Sequence, residues 1–558
     1  MSSSTQETQK VEKKQQGATR SRAELLLWLR PGLDPAVART AGDLLDPVSD
    51  YLERQGPTRL LDDPPVLTFD PISASSYLPP PFELGGEPED WSSKEVDLEW
   101  LDPQDIARLV SSRRLQVRDI VDVFRKRIEL WGELNAFTTT TLSEPPDLSS
   151  PAGPLAGAPI GVQDMIATAG VLTTAGSRVL GDFVPRASAV CWERLHDSGA
   201  LLAGKLSTQE FAAGTTGVND WFGAVRNPWE LTRTAGGAAG GAGAALAAGL
   251  ISAALATDPG GSIRVPAALC GVIALKPTYG TVDRRGSIPL TWTTETIGVL
   301  ARTVRGAARV ADLVLDGRSR ERWGLGCEAA ANRGANARLG IRVGVPENWL
   351  GMGLDPDVAQ SYRDALDVLV ELGAELVEVR PPSIDDIAPT HRAIAFAEAS
   401  TIHEDIIERA ADQYGDAIRG RQEAGRGVLA SEYLKANRIR GHFTRAFSEL
   451  WRETDVFAVP TSPVPAAKVG TRSLVTHRSR GAEATHSVYT RYSAPMSTLG
   501  LPAVSVPCGF SRDGLPLGIQ LSGPPYSEPL LMHAAAAYQS STSWHLLHPS
   551  LVPTKEVA

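Results

Sequence analysis

Two glycine-rich turns bracket a run of very small side chains in the stretch 234–264, TAGGAAGGAGAALAAGLISAALATDPGGSIR, and they commit this part of the chain to close packing. Glycine supplies the positive-φ backbone that tight loops need, and side chains without bulk let one backbone approach another. Such a turn suits a cradle around a reacting carbonyl. Ser262, set between Gly261 and Ile263, is the candidate nucleophile in it. The first turn reads Gly236-Gly237-Ala238-Ala239-Gly240-Gly241, with methyl groups where hydroxyls could relay a proton.

A long ordered pattern surrounds this stretch. Thr257-Asp258-Pro259-Gly260-Gly261-Ser262-Ile263-Arg264-Val265-Pro266-Ala267 is followed by Cys270-Gly271 and by Lys276-Pro277-Thr278-Tyr279-Gly280. Upstream stand Gly157-Ala158-Pro159-Ile160-Gly161-Val162-Gln163-Asp164, Gly204-Lys205-Leu206-Ser207 and Arg226-Asn227-Pro228-Trp229. Downstream come Asp455-Val456-Phe457-Ala458-Val459-Pro460-Thr461, Gly500-Leu501-Pro502-Ala503 and Gly514-Leu515-Pro516-Leu517-Gly518-Ile519-Gln520. Together these resemble the amidase signature family of serine hydrolases, over roughly residues 100–540.

That resemblance implies a Ser/cis-Ser/Lys triad, and it maps position by position. Ser262 falls on the nucleophile, Ala238 on the bridging serine, Ala239 on the serine after it, and Gln163 on the lysine that serves as base. Ala238 cannot relay a proton, and the Gln163 amide has no pKa usable for general-base work near neutrality. Losing a general base typically costs ~10²–10⁴ in rate, and members of one relay fail together. The resemblance also implies an oxyanion hole of backbone N–H groups along positions 259–262. Pro259 has no N–H, whereas Gly260, Gly261 and Ser262 keep theirs.

Each feature also has a purely structural reading. Ser262 can be a turn residue chosen for size, Asp258 and Arg264 a buried ion pair supporting the loop, and Gln163 a hydrogen-bonding partner of the loop backbone. Asp164 is the nearest carboxylate in sequence that could replace the base, though a supporting hydrogen bond is its default role. Lys205 and Lys276 lie in segments that resemble scaffold. The nine histidines follow no recognisable Ser-His-Asp order, and His403-Glu404-Asp405 reads as a solvated charged helix face. Four scattered cysteines without a C-x-x-C pair give no zinc pattern, and the glycine turns lack nucleotide-loop spacing, so neither metal nor cofactor is expected.

The remainder is ordinary for a large globular chain: 558 residues, 42% hydrophobic, 22% charged, net charge −10. This balance argues against a nucleic-acid surface, and the polar start of the chain against a secretory signal or membrane span. A cytoplasmic setting is expected. Residues 1–22 read as a disordered tail, 23–95 as a helical extension with a Pro-rich connection, 96–543 as the amidase-signature domain and 544–558 as a tail. In the extension, Val37, Ala41 and Leu44 recur at helical spacing, and Asp46-Pro47 predicts the start of a second short helix. These helices are expected to pack on the body or to form a homodimer interface. Further on, alternating apolar runs and amphipathic stretches predict an α/β fold, and the resemblance implies a large central mixed twisted sheet covered by helices on both faces.

The departures cluster on catalytic positions, whereas the scaffold pattern is largely present. On this ground the sequence points to a repurposed enzyme that acts on a carbonyl or amide-like small molecule without standard amide hydrolysis. The alternatives are a C–N hydrolase in which another group activates Ser262, and a non-catalytic binding or partner subunit.

Overall fold

In the computed structural model of the protein, the apolar run Ala253–Thr257 is a strand buried at every position. Ala253 and Leu255 pack with Ile160 and Val299 in one core, while Ala254 and Ala256 pack with Leu246 and Leu300 in another. This two-residue alternation between two cores marks a strand with helices on both faces, for which a continuous apolar run is the matching sequence. The structure describes Ala23, Leu26, Leu27 and residues 33–54, 97–142 and 152–550, without 336, 352 and 477–480.

Among these residues the main sheet has 11 strands: β1 (Phe137–Thr140), β2 (Pro159–Gln163), β3 (Leu201–Leu206), β4 (Ala253–Thr257), β5 (Ile273–Lys276), β6 (Ile297–Ala301), β7 (Arg342–Pro346), β8 (Glu375–Val379), β9 (Val456–Pro460), β10 (Ala503–Phe510) and β11 (Pro516–Ser522). Their spatial order is β1-β3-β2-β4-β6-β5-β10-β11-β9-β7-β8. The sheet is mixed, because β2 runs parallel to β3 and β4 while β6 is antiparallel to β4 and β5. Helices Val304–Val314 and Glu528–Ser540 cover the first core, and the short helices α2 (Gly240–Ala247) and α3 (Arg264–Cys270) contribute to the second. Every residue of α2 is buried. A Cβ on its Gly241 would stand 2.6 Å from the Ala136 carbonyl and 2.7 Å from the Ser207 amide, so close approach requires glycine there. Its weak helix propensity is offset by packing on all sides.

The extension departs from expectation. One helix, α1 (Pro35–Arg54), runs straight through Pro47, where a helix start was predicted. An interior proline loses one hydrogen bond and costs about 3 kcal/mol. The stripe Ala38, Ala41, Leu45, Val48, Tyr51 and Leu52, buried on both sides of Pro47, holds the helix together. It packs on the chain's own α4 (Ile384–Ala410), α5 (Asp416–Gly425) and α6 (Ala430–Glu453). This apolar face is therefore occupied within the chain and not turned outward for a homodimer. The tail 1–22 and the Pro-rich connection with its prolines at 64–65 and 79–81 lie outside the described residues.

Candidate active site

Parallel pairing brings the C-terminal ends of β2 and β4 side by side, where ligand crevices of parallel sheets form. Gln163 closes β2. Its side chain is fully buried, with Oε1 accepting the Thr257 amide N–H at 2.7 Å and Nε2 donating to Thr208 Oγ1 at 2.8 Å. The next residue, Asp164, accepts from the Thr174 amide at 3.1 Å and its hydroxyl at 2.5 Å. Burial raises the Asp164 carboxyl above its ordinary range, with nearby Lys205 opposing the shift.

β4 leads into the loop 258–262, which is buried throughout. Asp258 and Arg264, both fully buried, pair through two contacts of 2.9 Å. The Arg264 guanidinium also donates to the Ser493 carbonyl at 2.8 Å, Gln520 Oε1 at 2.7 Å and Ser497 Oγ at 2.8 Å. Burial alone would raise the Asp258 carboxyl; the Arg264 charge and hydrogen bonds outweigh it and hold the group below the usual range. Such a pair with all its donors satisfied fixes a loop in one conformation.

Loop carbonyls are tied back one by one. Ser493 Oγ donates to Gly260 O at 3.0 Å, the Val265 amide to Gly261 O at 2.9 Å and the Ala239 amide to Ser262 O at 3.2 Å. The last bond joins the two glycine turns. Ala238, beside it, is buried in an apolar cluster with Met165 and Phe211. Of the loop amides, Gly261 N–H donates to Asp258 Oδ1, and Pro259 has none. The amides of Gly260 and Ser262 have no hydrogen-bond partner among the described residues.

Ser262, 2% exposed, lines a cavity of about 70 Å³ with Pro259 and Gly260. Opposite walls come from α4 (His391, Arg392, Ala395, Ala399), from α5 (Arg421), from Thr215, and from His486 and Thr490. His391 Nδ1 lies 2.9 Å from Thr498 Oγ1, and its Nε2 stands 3.1 Å from where a Cβ on Gly260 would be. Burial, followed by the charges of Arg392 and Arg440, pushes the His391 imidazole down to about 4. His486 Nδ1 lies 3.0 Å from Thr215 Oγ1; burial, then Arg421, drives this ring well below its ordinary value. Arg421 donates to the Ala213 carbonyl at 2.7 Å. Two neutral imidazoles and two guanidiniums thus share the cavity with the serine.

Other titratable candidates lie elsewhere. Lys205 donates to the Ile166 carbonyl and, at 2.9 Å, to Thr173 Oγ1, and burial lowers its pKa to about 8. Lys276 donates to the Pro277 carbonyl at 2.8 Å, and burial lowers it to about 7. Neither lysine lines the cavity. His403 is no part of a solvated face: it is fully buried, edge-on to Phe211 at 4.5 Å, with Nδ1 2.9 Å from the Tyr414 hydroxyl, while Glu404 and Asp405 do face outward. The cavity histidines and arginines were not singled out in sequence. The available signal was the row His391, Ala395, Ala399, spaced four apart on one helix face.

Comparison with known proteins adds the remaining constraint. A family model described as Amidase matches residues 138–532. The chain is 38% identical over 429 residues to the A subunit of glutamyl-tRNA(Gln) amidotransferase from Chloroflexus aggregans, covering 71% of this chain and 85% of that protein. Among solved structures, an amidase superposes with a TM-score of 0.71 at 28% identity, covering 79% of this chain and 99% of the other. The A subunit of glutamyl-tRNA(Gln) amidotransferase from Thermotoga maritima superposes with a TM-score of 0.67 at 29% identity, covering 80% and 95%.

These relatives overturn the reading of a fold turned to other chemistry or to binding alone. Across most of both chains, the likeness is to proteins named for amide chemistry. In sequence, Gln163 and Ala238 stand where the resemblance implies the proton relay, and no replacement base is marked near Ser262 beyond Asp164. Groups that folding brings to the same loop from more than a hundred residues away leave no mark there.

Proposed function

Because the chain belongs to the amidase family, we propose that it is an amidase that cleaves the C–N bond of a carboxamide, with Ser262 as the attacking nucleophile. The observation that carries this reading is the setting of Ser262: it lines the cavity, beside two loop amides, its own and that of Gly260, that no described residue engages. Attack by Ser262 Oγ on the carboxamide carbon moves negative charge onto the carbonyl oxygen. The Gly260 and Ser262 amides receive that oxygen, and each such donor is worth ~10²–10³ in rate. Asp258 and Arg264 position this loop from behind and do not touch substrate. Gln163 and Ala238, at the positions where the resemblance implies a relay, serve the scaffold: one clamps the β2 and β4 ends, the other fills an apolar contact.

The test is turnover of a panel of small aliphatic and aryl carboxamides, followed by release of ammonia or amine. Wild-type turnover that Ser262→Ala abolishes supports the reading. Full turnover by Ser262→Ala would refute it.

A further inference from the structure

We propose that His391 is the general base that takes the proton of Ser262, directly or across one water. This rests on the amidase reading above and assigns the step that neither Gln163 nor Ala238 can perform.

One tautomer of His391 satisfies both contacts of the Thr498 hydroxyl. The Thr498 hydroxyl has a single hydrogen, and it donates that hydrogen to the Ala494 carbonyl at 2.8 Å. In its 2.9 Å contact with His391 Nδ1, Thr498 Oγ1 therefore accepts, so Nδ1 carries the proton and Nε2 holds a free lone pair. That Nε2 has no hydrogen-bond partner among the described residues. It stands 3.1 Å from where a Cβ on Gly260 would be, two residues before Ser262, at the cavity that His391 and Ser262 both line. A neutral imidazole anchored at one nitrogen and bare at the other is the arrangement general-base catalysis requires. His486 lacks the same definition: its Thr215 partner donates to no second acceptor among the described residues, so no bond fixes its tautomer.

The step balances without a further reactant. Ser262 Oγ bonds to the carbonyl carbon as its proton moves to Nε2; the same proton passes to the departing nitrogen, and the C–N bond breaks. Water then attacks the ester and gives a proton to Nε2; that proton passes to Ser262 Oγ as the C–Oγ bond breaks, releasing a carboxylic acid and restoring both the serine and the neutral imidazole. The groups that face His391 are Arg392, Arg440, Arg264, Asp258 and His486. Burial first, and then the three guanidiniums among these groups, keep the ring unprotonated through the neutral range.

The decisive variant is His391→Asn, whose side-chain amide reproduces the Nδ1–H bond to Thr498 but offers no base. We expect kcat to fall ~10²–10⁴-fold with a much smaller change in KM. The wild-type acid limb of the kcat/KM profile, with activity lost as pH falls toward about 4, is expected to disappear in that variant. His391→Gly is expected to regain turnover on addition of imidazole. Undiminished kcat in His391→Asn, or an unchanged acid limb, overturns the assignment even where Ser262→Ala is inactive. Turnover that survives Ser262→Ala instead removes Ser262 as the nucleophile, on which the assignment of His391 rests.

Discussion

Gln163 Oε1 accepts the amide N–H of Thr257 at 2.7 Å, so the strand end before the serine loop is held by the side chain at the position where the resemblance implies a base. Both ends of that side-chain amide are engaged, and it is fully buried. Gln163→Ala would strand the Thr257 donor and remove the bond to Thr208 Oγ1, which keeps its own bond to the Gln209 carbonyl. The expected loss of stability is about 1–3 kcal/mol, read from urea unfolding. A variant as stable as wild type would show that the clamp contributes nothing.

Asp258→Ala removes the carboxylate paired with a fully buried guanidinium, leaving Arg264 with neutral acceptors such as the Ser493 carbonyl and Gln520 Oε1. Breaking a buried pair at one end costs about 3–5 kcal/mol. Chemical denaturation should report a drop of that order, together with lost turnover, because the loop amide of Gly261 loses its acceptor as well.

Gly261 adopts φ +120°, and a Cβ there would stand 2.0 Å from Ser493 Oγ and 2.8 Å from Ser493 Cβ. Gly261→Ala is therefore expected to displace the loop and abolish amide turnover. Adding Ser493→Ala relieves only the first contact, so activity should not return. Restored kcat in the double variant would contradict this geometry.

Acid should weaken the fold through His403. Burial depresses its pKa from 6.5 to about 4, so between these values the unfolded chain binds a proton that the folded chain does not. The stabilising contribution is complete above pH 6.5 and declines as pH falls through the window, by at most about 1.4 kcal/mol per pH unit. His403→Asn, which keeps a hydrogen-bonding group toward Tyr414, should flatten the stability curve between pH 6.5 and 4. An identical slope in both proteins would exclude His403 as the source.

Much of the fold and part of the site were legible because their signals are local in sequence. The run Ala253–Thr257 and its glycine turn, the ion pair of Asp258 with Arg264 six residues on, and the candidate Ser262 all lie within one stretch. Where tertiary packing decides, the sequence misled. Pro47 carried a start signal that the buried stripe of α1 overrode, and His403 sat in a charged run yet points inward. The chemistry was misjudged for the same reason: His391 and His486 come to line the cavity of Ser262 only through the folding of α4 and of a segment near the end of the chain.

That Ser262 is the nucleophile of an amidase is tested by covalent trapping. The protein would be incubated with a fluorophosphonate, and the labelled peptide and the residual carboxamide turnover measured together. Stoichiometric modification of Ser262 is expected, with turnover lost in proportion and no labelling in Ser262→Ala. Full carboxamide turnover by a protein modified at Ser262, or by Ser262→Ala, would contradict the assignment.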